Sequence, residues 1–154
     1  MNLMAEEIDI EAVLRKVHSQ GLPRYPLLVV FFTGGEEPPD CVSMRRLPMP
    51  NAGFAFGEDF CNRVQEAMTS NESAHDGAVA FGRIGVSDAY KCAGWSYRIV
   101  ARQAPHAAEA NRGAAYNSAI SLSLSAGVDR VCLFSRSELE VFSGGKRAVF
   151  LKVR

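Results

Sequence analysis

One run of apolar residues constrains the fold more than any other stretch of the chain. Residues 27–33 read Leu-Leu-Val-Val-Phe-Phe-Thr, so apolar side chains occupy both alternating sets of positions. Because successive side chains of a strand point to opposite faces of a sheet, such a run predicts a central strand that is buried on both faces. The chain is therefore expected to build a sheet with helices packed against it.

Periodicity predicts the remaining elements. Helical spacing predicts helices over 6–18, 59–69 and 110–125, the last followed by Gly127 as a C-terminal cap. Apolar or alternating runs predict strands over 41–47, 76–83, 91–102, 130–135, 139–142 and 147–153, with Gly144-Gly145 as a hairpin turn. These elements predict one α/β domain over residues 1–154, a mixed central sheet of about six or seven strands flanked by helices.

Charge and hydropathy exclude several classes of partner. The chain carries 17 basic and 17 acidic residues, a balance that argues against broad binding to nucleic acid or to an anionic membrane. No apolar run approaches the ~20 residues of a membrane span, and the acidic N-terminal segment lacks the basic region of a signal peptide. We therefore expect a cytoplasmic protein.

The four cysteines give no sign of a metal site. Cys41, Cys61, Cys92 and Cys132 are widely spaced, with no Cys-x-x-Cys pair. They are interpreted as reduced thiols that pack as small apolar side chains. The three histidines likewise show no metal-ligand spacing, and the serines after residue 117 lack the Gly-x-Ser-x-Gly pattern of a hydrolase.

Two short segments are candidates for a phosphate or nucleotide site. Asp76-Gly77-Ala78 opens a predicted strand, and Asn111-Arg112-Gly113 lies near the start of a predicted helix. The carboxylate offers a metal or ribose ligand, while a helix start offers free N–H groups and a positive dipole end. Each segment also has a structural interpretation, as a turn into a strand and as a helix cap, and the residues alone leave both open.

An ordered set of segments resembles the diadenylate cyclase domain family, of the DNA-integrity-scanning type. The segments are DGAVAFG (76–82), YRIVARQAP (97–105), NRGAAYNSAISLS (111–123) and VDRVCLFSRSELEVFSGGKRAVF (128–150). In that family, a strand begins Asp-Gly-Ala, a Gly-Thr-Arg-His-Arg-Ala-Ala segment opens a helix, and a later strand ends in Ser-Glu-Glu-Thr-Gly. The resemblance is strongest over residues 76–153 and implies the family's mixed sheet flanked by helices.

The resemblance also implies a function and site residues. Enzymes of the family join two ATP molecules into cyclic di-AMP, in two domains that face each other. By this resemblance, Asp76 would hold Mg²⁺ or Mn²⁺ and the reacting hydroxyl, with Gly77 and Ala78 beside it. Asn111, Arg112 and Gly113 would lie at the phosphates, and Ser135 falls in the Ser-Glu-Glu-Thr-Gly region.

The phosphate segment departs from the family pattern. Residues 109–113 read Glu-Ala-Asn-Arg-Gly, so two arginines become one, the histidine is lost and a carboxylate enters. Phosphoryl transfer depends on positioned donors that neutralise phosphate charge, and losing one donor costs roughly 10²–10³-fold in rate by analogy with oxyanion holes. The first hypothesis is therefore a non-catalytic nucleotide-binding or sensor domain of cyclase ancestry, in bacterial signalling or defence. Its ligand would be ATP or a cyclic dinucleotide.

Two alternatives stay open. An active cyclase could use Arg98, Arg102 or Arg112 in place of the lost donors, with Asp76 on the metal. A ligand-free interaction domain could instead pair exposed edge strands across a homo-oligomer, with Trp95 and Tyr116 filling the would-be pocket.

Overall fold

The computed structural model describes residues 9–45, 47–101 and 113–152. Three α-helices are present in this part of the chain: α1 (Ile10–Gln20), α2 (Phe60–Ser70) and α3 (Ala114–Leu122). The strands are β1 (Leu27–Thr33), β2 (Cys41–Ser43), β3 (Ala78–Arg83), β4 (Lys91–Ile99), β5 (Val128–Phe134), β6 (Glu138–Ser143) and β7 (Lys146–Lys152). A 3₁₀ turn, Glu72–His75, precedes β3.

The seven strands form one mixed sheet in the order β2-β4-β3-β1-β5-β6-β7. β1 lies in the centre and pairs in parallel with β3, with Leu28 opposite Ala78. All other pairings are antiparallel. The α/β fold class and the strand number expected from the sequence are confirmed. At one end of the sheet, β1 and β3 begin while β4 and β5 end, and this end carries the candidate site.

Helices cover both faces of the sheet, as the apolar run in β1 requires. α1 and α2 pack on the face that carries Val29 and Phe31, together with Phe81 and Phe134. α3 packs on the opposite face, over Leu28, Val30 and the side of β5 that carries Val131. Alternation along β1 thus supplies two separate apolar cores, and both contain fully buried side chains.

β4 contains an irregularity that matters for the site. Ala78 of β3 pairs with Tyr97, but Ala80 pairs with Gly94, so β4 carries an extra residue in between. Ser96 has a positive φ of 58° within this bulge and is buried. Trp95 consequently packs with the α1/α2 core, while Tyr97 faces α3. The hypothesis that Trp95 fills a nucleotide pocket is therefore wrong.

Several predicted boundaries differ from the structure. Asp76 was expected to open a strand, but β3 begins at Ala78, because Gly77 has a φ of 80° that no strand residue adopts. β2 ends at Ser43 rather than at residue 47, since Arg45 also has a positive φ. α1 begins after Asp9, whose carboxylate accepts from Ala12 N at 3.1 Å.

α3 is shorter than predicted. It ends at Leu122 rather than near residue 125, and residues 110–112 lie outside the described part of the chain. The hydroxyl of Ser123 donates to Ile120 O at 2.7 Å and accepts from Gly145 N at 2.9 Å, which offers the backbone an alternative to further helix. Gly127 is therefore not the helix cap; its carbonyl accepts from Thr33 N at 2.8 Å at the start of β5.

Among the described residues, no helix has both the length and the apolar character needed to cross a membrane.

Candidate functional site

A cavity of about 580 Å³ lies between α3 and the end of the sheet where β1 and β3 begin. Its volume falls within the roughly 300–1,000 Å³ of small-molecule sites. Its described walls come from five places: the residues before and within β1, the residue after β2, the turn before β3, the end of β4 and the first turns of α3. The lining residues are Pro26, Leu28, Met44, His75, Asp76, Gly77, Tyr97, Arg98, Ile99, Ala114, Ala115 and Ser118.

The turn before β3 brings three polar or flexible residues to the cavity. His75 ends the 3₁₀ turn, and Asp76 follows as an exposed carboxylate. Gly77 then redirects the chain into β3 through its positive φ. Asp76 and Gly77 therefore lie at the cavity, in the place where the sequence predicted part of the site.

The floor of the cavity is apolar. Leu28 and Tyr97 retain only 8% and 6% of their exposure, and Ile99 is half-buried beside them. Burial raises the pKa of Tyr97, so its hydroxyl stays protonated at neutral pH and lies 3.4 Å from Ala93 O. An apolar surface that includes an aromatic ring suits a base or a ribose better than a phosphate.

The α3 wall consists of small side chains. Ala114, Ala115 and Ser118 line the cavity, while Tyr116 and Ala119 point into the sheet. Tyr116 packs edge-on against Phe142, with ring centroids 5.3 Å apart. It therefore does not occupy the cavity, contrary to the hypothesis that Tyr116 would fill it. Small residues at helical spacing leave open the volume that longer side chains would close.

Ala114 and Ala115, in the first turn of α3, line the cavity. The first backbone N–H groups of a helix have no acceptor within it. Gly113 is the N-cap residue, with a φ of 93° and no atoms near its would-be Cβ. Gly113 precedes the lining but is not itself part of it. Asn111 and Arg112, the other two predicted phosphate residues, lie outside the described residues.

Two predicted site residues lie away from the cavity. Ala78 is fully buried in β3, beneath α3, and supports the floor without lining it. Ser135 follows β5 at the same end of the sheet, where its hydroxyl accepts from Glu138 N at 3.1 Å in the β5–β6 turn. The Ser135 carbonyl lies 3.2 Å from the ring of His18. Both contacts stabilise the turn and the docking of α1.

Divalent metal binding would depend on few protein ligands. No group of three or more His, Cys, Asp and Glu side chains is placed to hold a metal ion within residues 9–45, 47–101 and 113–152. Asp76 is the one carboxylate among the lining residues that the structure describes. Mg²⁺ is commonly held by one or two carboxylates together with substrate phosphates. With the described residues alone, the cavity therefore fits Mg²⁺ or Mn²⁺ together with a phosphate-bearing ligand, and Asp76 would add a carboxylate oxygen.

The sequence predicted the charged part of the cavity better than its floor. Leu28, Met44 and Ile99 carry no chemical motif, and the pairing of distant strands brings them together. Arg98 was considered only as a substitute donor for an active enzyme, yet it lies at the cavity. The strand pairing could have identified Arg98. Tyr97 pairs with Ala78, next to the Asp76-Gly77 turn, and Arg98 is the following residue of β4.

Comparison with solved structures identifies the class of fold. A double-cysteine variant of DacA from Staphylococcus aureus superposes with a TM-score of 0.58 at 14% identity, covering 93% of this chain and 84% of that one. A hypothetical membrane spanning protein from Bacillus cereus superposes with a TM-score of 0.61 at 12% identity over 91% of this chain. This chain spans only 60% of the Bacillus cereus protein. Neither a family model nor a curated protein matches the sequence.

These likenesses establish a diadenylate-cyclase-like fold, a seven-stranded mixed sheet with helices on both faces. At such low identity they support common architecture and no more.

Proposed function

We propose that the chain is a non-catalytic nucleotide-binding domain of diadenylate-cyclase ancestry that serves as a sensor in bacterial signalling or defence. One observation carries the proposal: a single cavity joins Asp76 and Gly77 to the first turn of α3. These segments are separated by more than thirty residues in sequence, and the sheet brings them to one site.

The shape of the cavity supports a nucleotide. Leu28, Tyr97 and Ile99 provide an apolar floor for a base or ribose, while the N–H groups of α3 are suited to anionic oxygens. The volume of about 580 Å³ is open because α3 begins with alanines and the aromatic side chain of Tyr116 turns away. A ligand-free interaction domain would have no need for such a volume.

The departure of residues 109–113 from the family's phosphate segment favours binding over catalysis. Phosphoryl transfer requires several donors on the reacting phosphates, and this segment carries one arginine and one carboxylate. A second candidate, an active cyclase, is favoured by one feature, the exposed Asp76 carboxylate at the cavity. In that case Asp76 would contribute to Mg²⁺ or Mn²⁺ binding.

Thermal unfolding with a nucleotide panel tests the proposal. The panel contains ATP, GTP, AMP and cyclic di-AMP, each with and without Mn²⁺. A ligand at 100 times its Kd adds about 2.7 kcal/mol, which raises the Tm by roughly 5–10 °C for a chain of this length. A shift without formation of a cyclic dinucleotide supports the sensor. Turnover of ATP that Asp76→Asn abolishes would establish the enzyme instead, and no shift with any nucleotide would contradict both.

A further inference from the structure

The strand β2 is held by few contacts. It comprises three residues, none of them buried, and among the described strands it pairs with β4 alone. The side chain of Val42, its middle residue, is 56% exposed. A short edge strand that buries little surface needs little free energy to separate from its neighbour. β2 is therefore expected to open locally without unfolding the rest of the sheet.

The backbone around β2 is strained. Asp40, immediately before the strand, has a φ of 51°, and Arg45, shortly after it, has a φ of 49°. Ser96, in the bulge of β4 that faces the end of β2, has a φ of 58°. These three are the non-glycine residues with positive φ in the described part of the chain. Such conformations persist where surrounding contacts impose them, so separation of β2 from β4 would release strain.

The cavity touches both sides of the β2–β4 pairing. β4 contributes Tyr97, Arg98 and Ile99 to the lining, and these are the three residues that pair with β2. Met44, the residue after β2, also lines the cavity. Its side chain lies beside Gly77, because a Cβ built on Gly77 would be 2.8 Å from Met44 Cε. A ligand in the cavity would thus contact β4 and the end of β2 at once.

We propose that β2 reports the occupation of the cavity: a bound nucleotide holds β2 against β4, and the empty cavity allows β2 to open. This inference rests on the proposed nucleotide-binding function and adds the structural change by which a sensor would signal. A ligand shifts an equilibrium between two conformations only if it binds one of them better. Contact with both sides of the pairing provides that difference in affinity, and opening of β2 changes which strand edge faces the solvent.

Amide hydrogen exchange measured by NMR on the full chain tests this inference. The probes are AMP, cyclic di-AMP and ATP with Mg²⁺, and each nucleotide that binds is used at 100 times its Kd. The reporting amides are those of Met44 and Val100, which donate across the pairing to Ser96 O at 3.0 Å and to Asp40 O at 2.8 Å. Their exchange should slow tenfold or more, up to about 100-fold, because opening of β2 would require release of the nucleotide.

Gly53 and Cys92 provide matched control amides. They donate to Cys92 O and Phe54 O, both at 2.8 Å, in an edge pairing at the other end of β4. None of these three residues lines the cavity. Their amide exchange should therefore slow much less than that of Met44 and Val100.

Val42→Pro provides an independent measurement. Because the amides of Met44 and Val100 both bond across the pairing, the antiparallel alternation makes Val42 and Arg98, which lie between them, a hydrogen-bonded pair. Proline removes the N–H donor of this pair without altering a residue that lines the cavity. The variant should favour the open state and bind the same nucleotide roughly threefold more weakly or worse.

The possible outcomes separate this inference from the proposed function. Equal slowing of all four amides, no slowing at Met44 and Val100 with nucleotide bound, or unchanged affinity in a folded Val42→Pro variant would overturn the inference while nucleotide binding itself stands. Absence of binding by every nucleotide would overturn the proposed function as well.

Discussion

Gly77 lies so close to the backbone of Tyr97 that no side chain fits between them. A Cβ at Gly77 would come within 2.7 Å of the Tyr97 carbonyl oxygen and 3.1 Å of the Ser96 carbonyl carbon. The same glycine has a φ of 80°. Two independent requirements, a left-handed conformation and close backbone approach, thus meet at the residue that joins Asp76 to β3.

Gly77→Ala is expected to destabilise the fold by about 2–4 kcal/mol, through left-handed strain of about 1–2 kcal/mol and the additional clash with β4. The Tm should fall by roughly 5–15 °C. Urea unfolding followed by circular dichroism measures the loss.

Gly144→Ala is the matched control for this prediction. Gly144 has a φ of 59°, but no atom lies within 4 Å of its would-be Cβ. This variant should be destabilised only by the strain of the left-handed backbone conformation, without a steric clash. It should therefore lose less stability than Gly77→Ala. Equal losses of stability in the two variants would mean that the close approach of Gly77 to Tyr97 does not contribute to the effect of Gly77→Ala.

A second prediction concerns the pair Glu140–Arg147, which joins β6 to β7. The Glu140 side chain is only 4% exposed, and Arg147 donates to it and, at 3.2 Å, to Glu138. The hydrogen bond to Glu140 raises the pKa of Arg147 above its usual value. Arg147→Ala removes this cation from a carboxylate that stays buried, which should cost about 2–4 kcal/mol of unfolding free energy.

Denaturant unfolding of two further variants separates the charge effect from lost packing. Adding Glu140→Gln to Arg147→Ala should recover part of the stability, because the buried charge disappears. Arg15→Ala breaks an exposed pair with Glu11 and a contact with the Phe150 ring at 5.7 Å, and it should cost about 1 kcal/mol or less. The prediction fails if Arg147→Ala is as mild as Arg15→Ala.

A third prediction is a pH dependence at the other end of the sheet. Tyr90 donates to Asp129 at 2.6 Å, and burial together with this hydrogen bond raises the pKa of Tyr90 to about 12. An unfolded tyrosine has a pKa of about 10, so the folded state holds the proton more tightly. The contribution of the protonated Tyr90 hydroxyl to the free energy of unfolding is fully present below about pH 10. It is lost as the pH rises through about 12.

Tyr90→Phe removes this contribution while keeping the ring. The variant should be less stable than the natural chain at about pH 9, and the difference should narrow by about pH 11. The buried thiols of Cys92 and Cys132, whose pKa values burial raises to about 12, affect both proteins alike. The urea unfolding midpoints of the two proteins at the two pH values test this prediction. If the difference between the midpoints is the same at both pH values, the pH dependence does not come from Tyr90.

The sequence predicted elements well where the local pattern decides the structure. β1 has the predicted bounds because its apolar residues suit only a strand buried on both faces. Gly144-Gly145 turns the β6–β7 hairpin as predicted, and both glycines have positive φ. The end of α3 was missed because Ser123 bonds to Gly145, a contact between residues 22 positions apart that periodicity does not register.

The candidate site was only partly predictable for the same reason. Asp76 and Gly77 were found through a short motif, because consecutive residues can be recognised without knowledge of the fold. The floor residues Leu28 and Ile99 became visible only after β1 had paired with β3 and β2 with β4. Ser135 shows the opposite error, because a motif region placed it near the site while its hydroxyl stabilises a turn.

The most direct test of the account is calorimetric titration of the nucleotide that stabilises the natural chain into Ala115→Trp. Ala115 lines the cavity, so an indole ring there should fill it, whereas Ala126→Trp places the same ring at an exposed turn. The account predicts that Ala115→Trp folds but loses binding at least tenfold, a change of about 1.4 kcal/mol, while Ala126→Trp binds normally. Undiminished binding by a folded Ala115→Trp variant would show that the nucleotide binds elsewhere and would contradict the central claim.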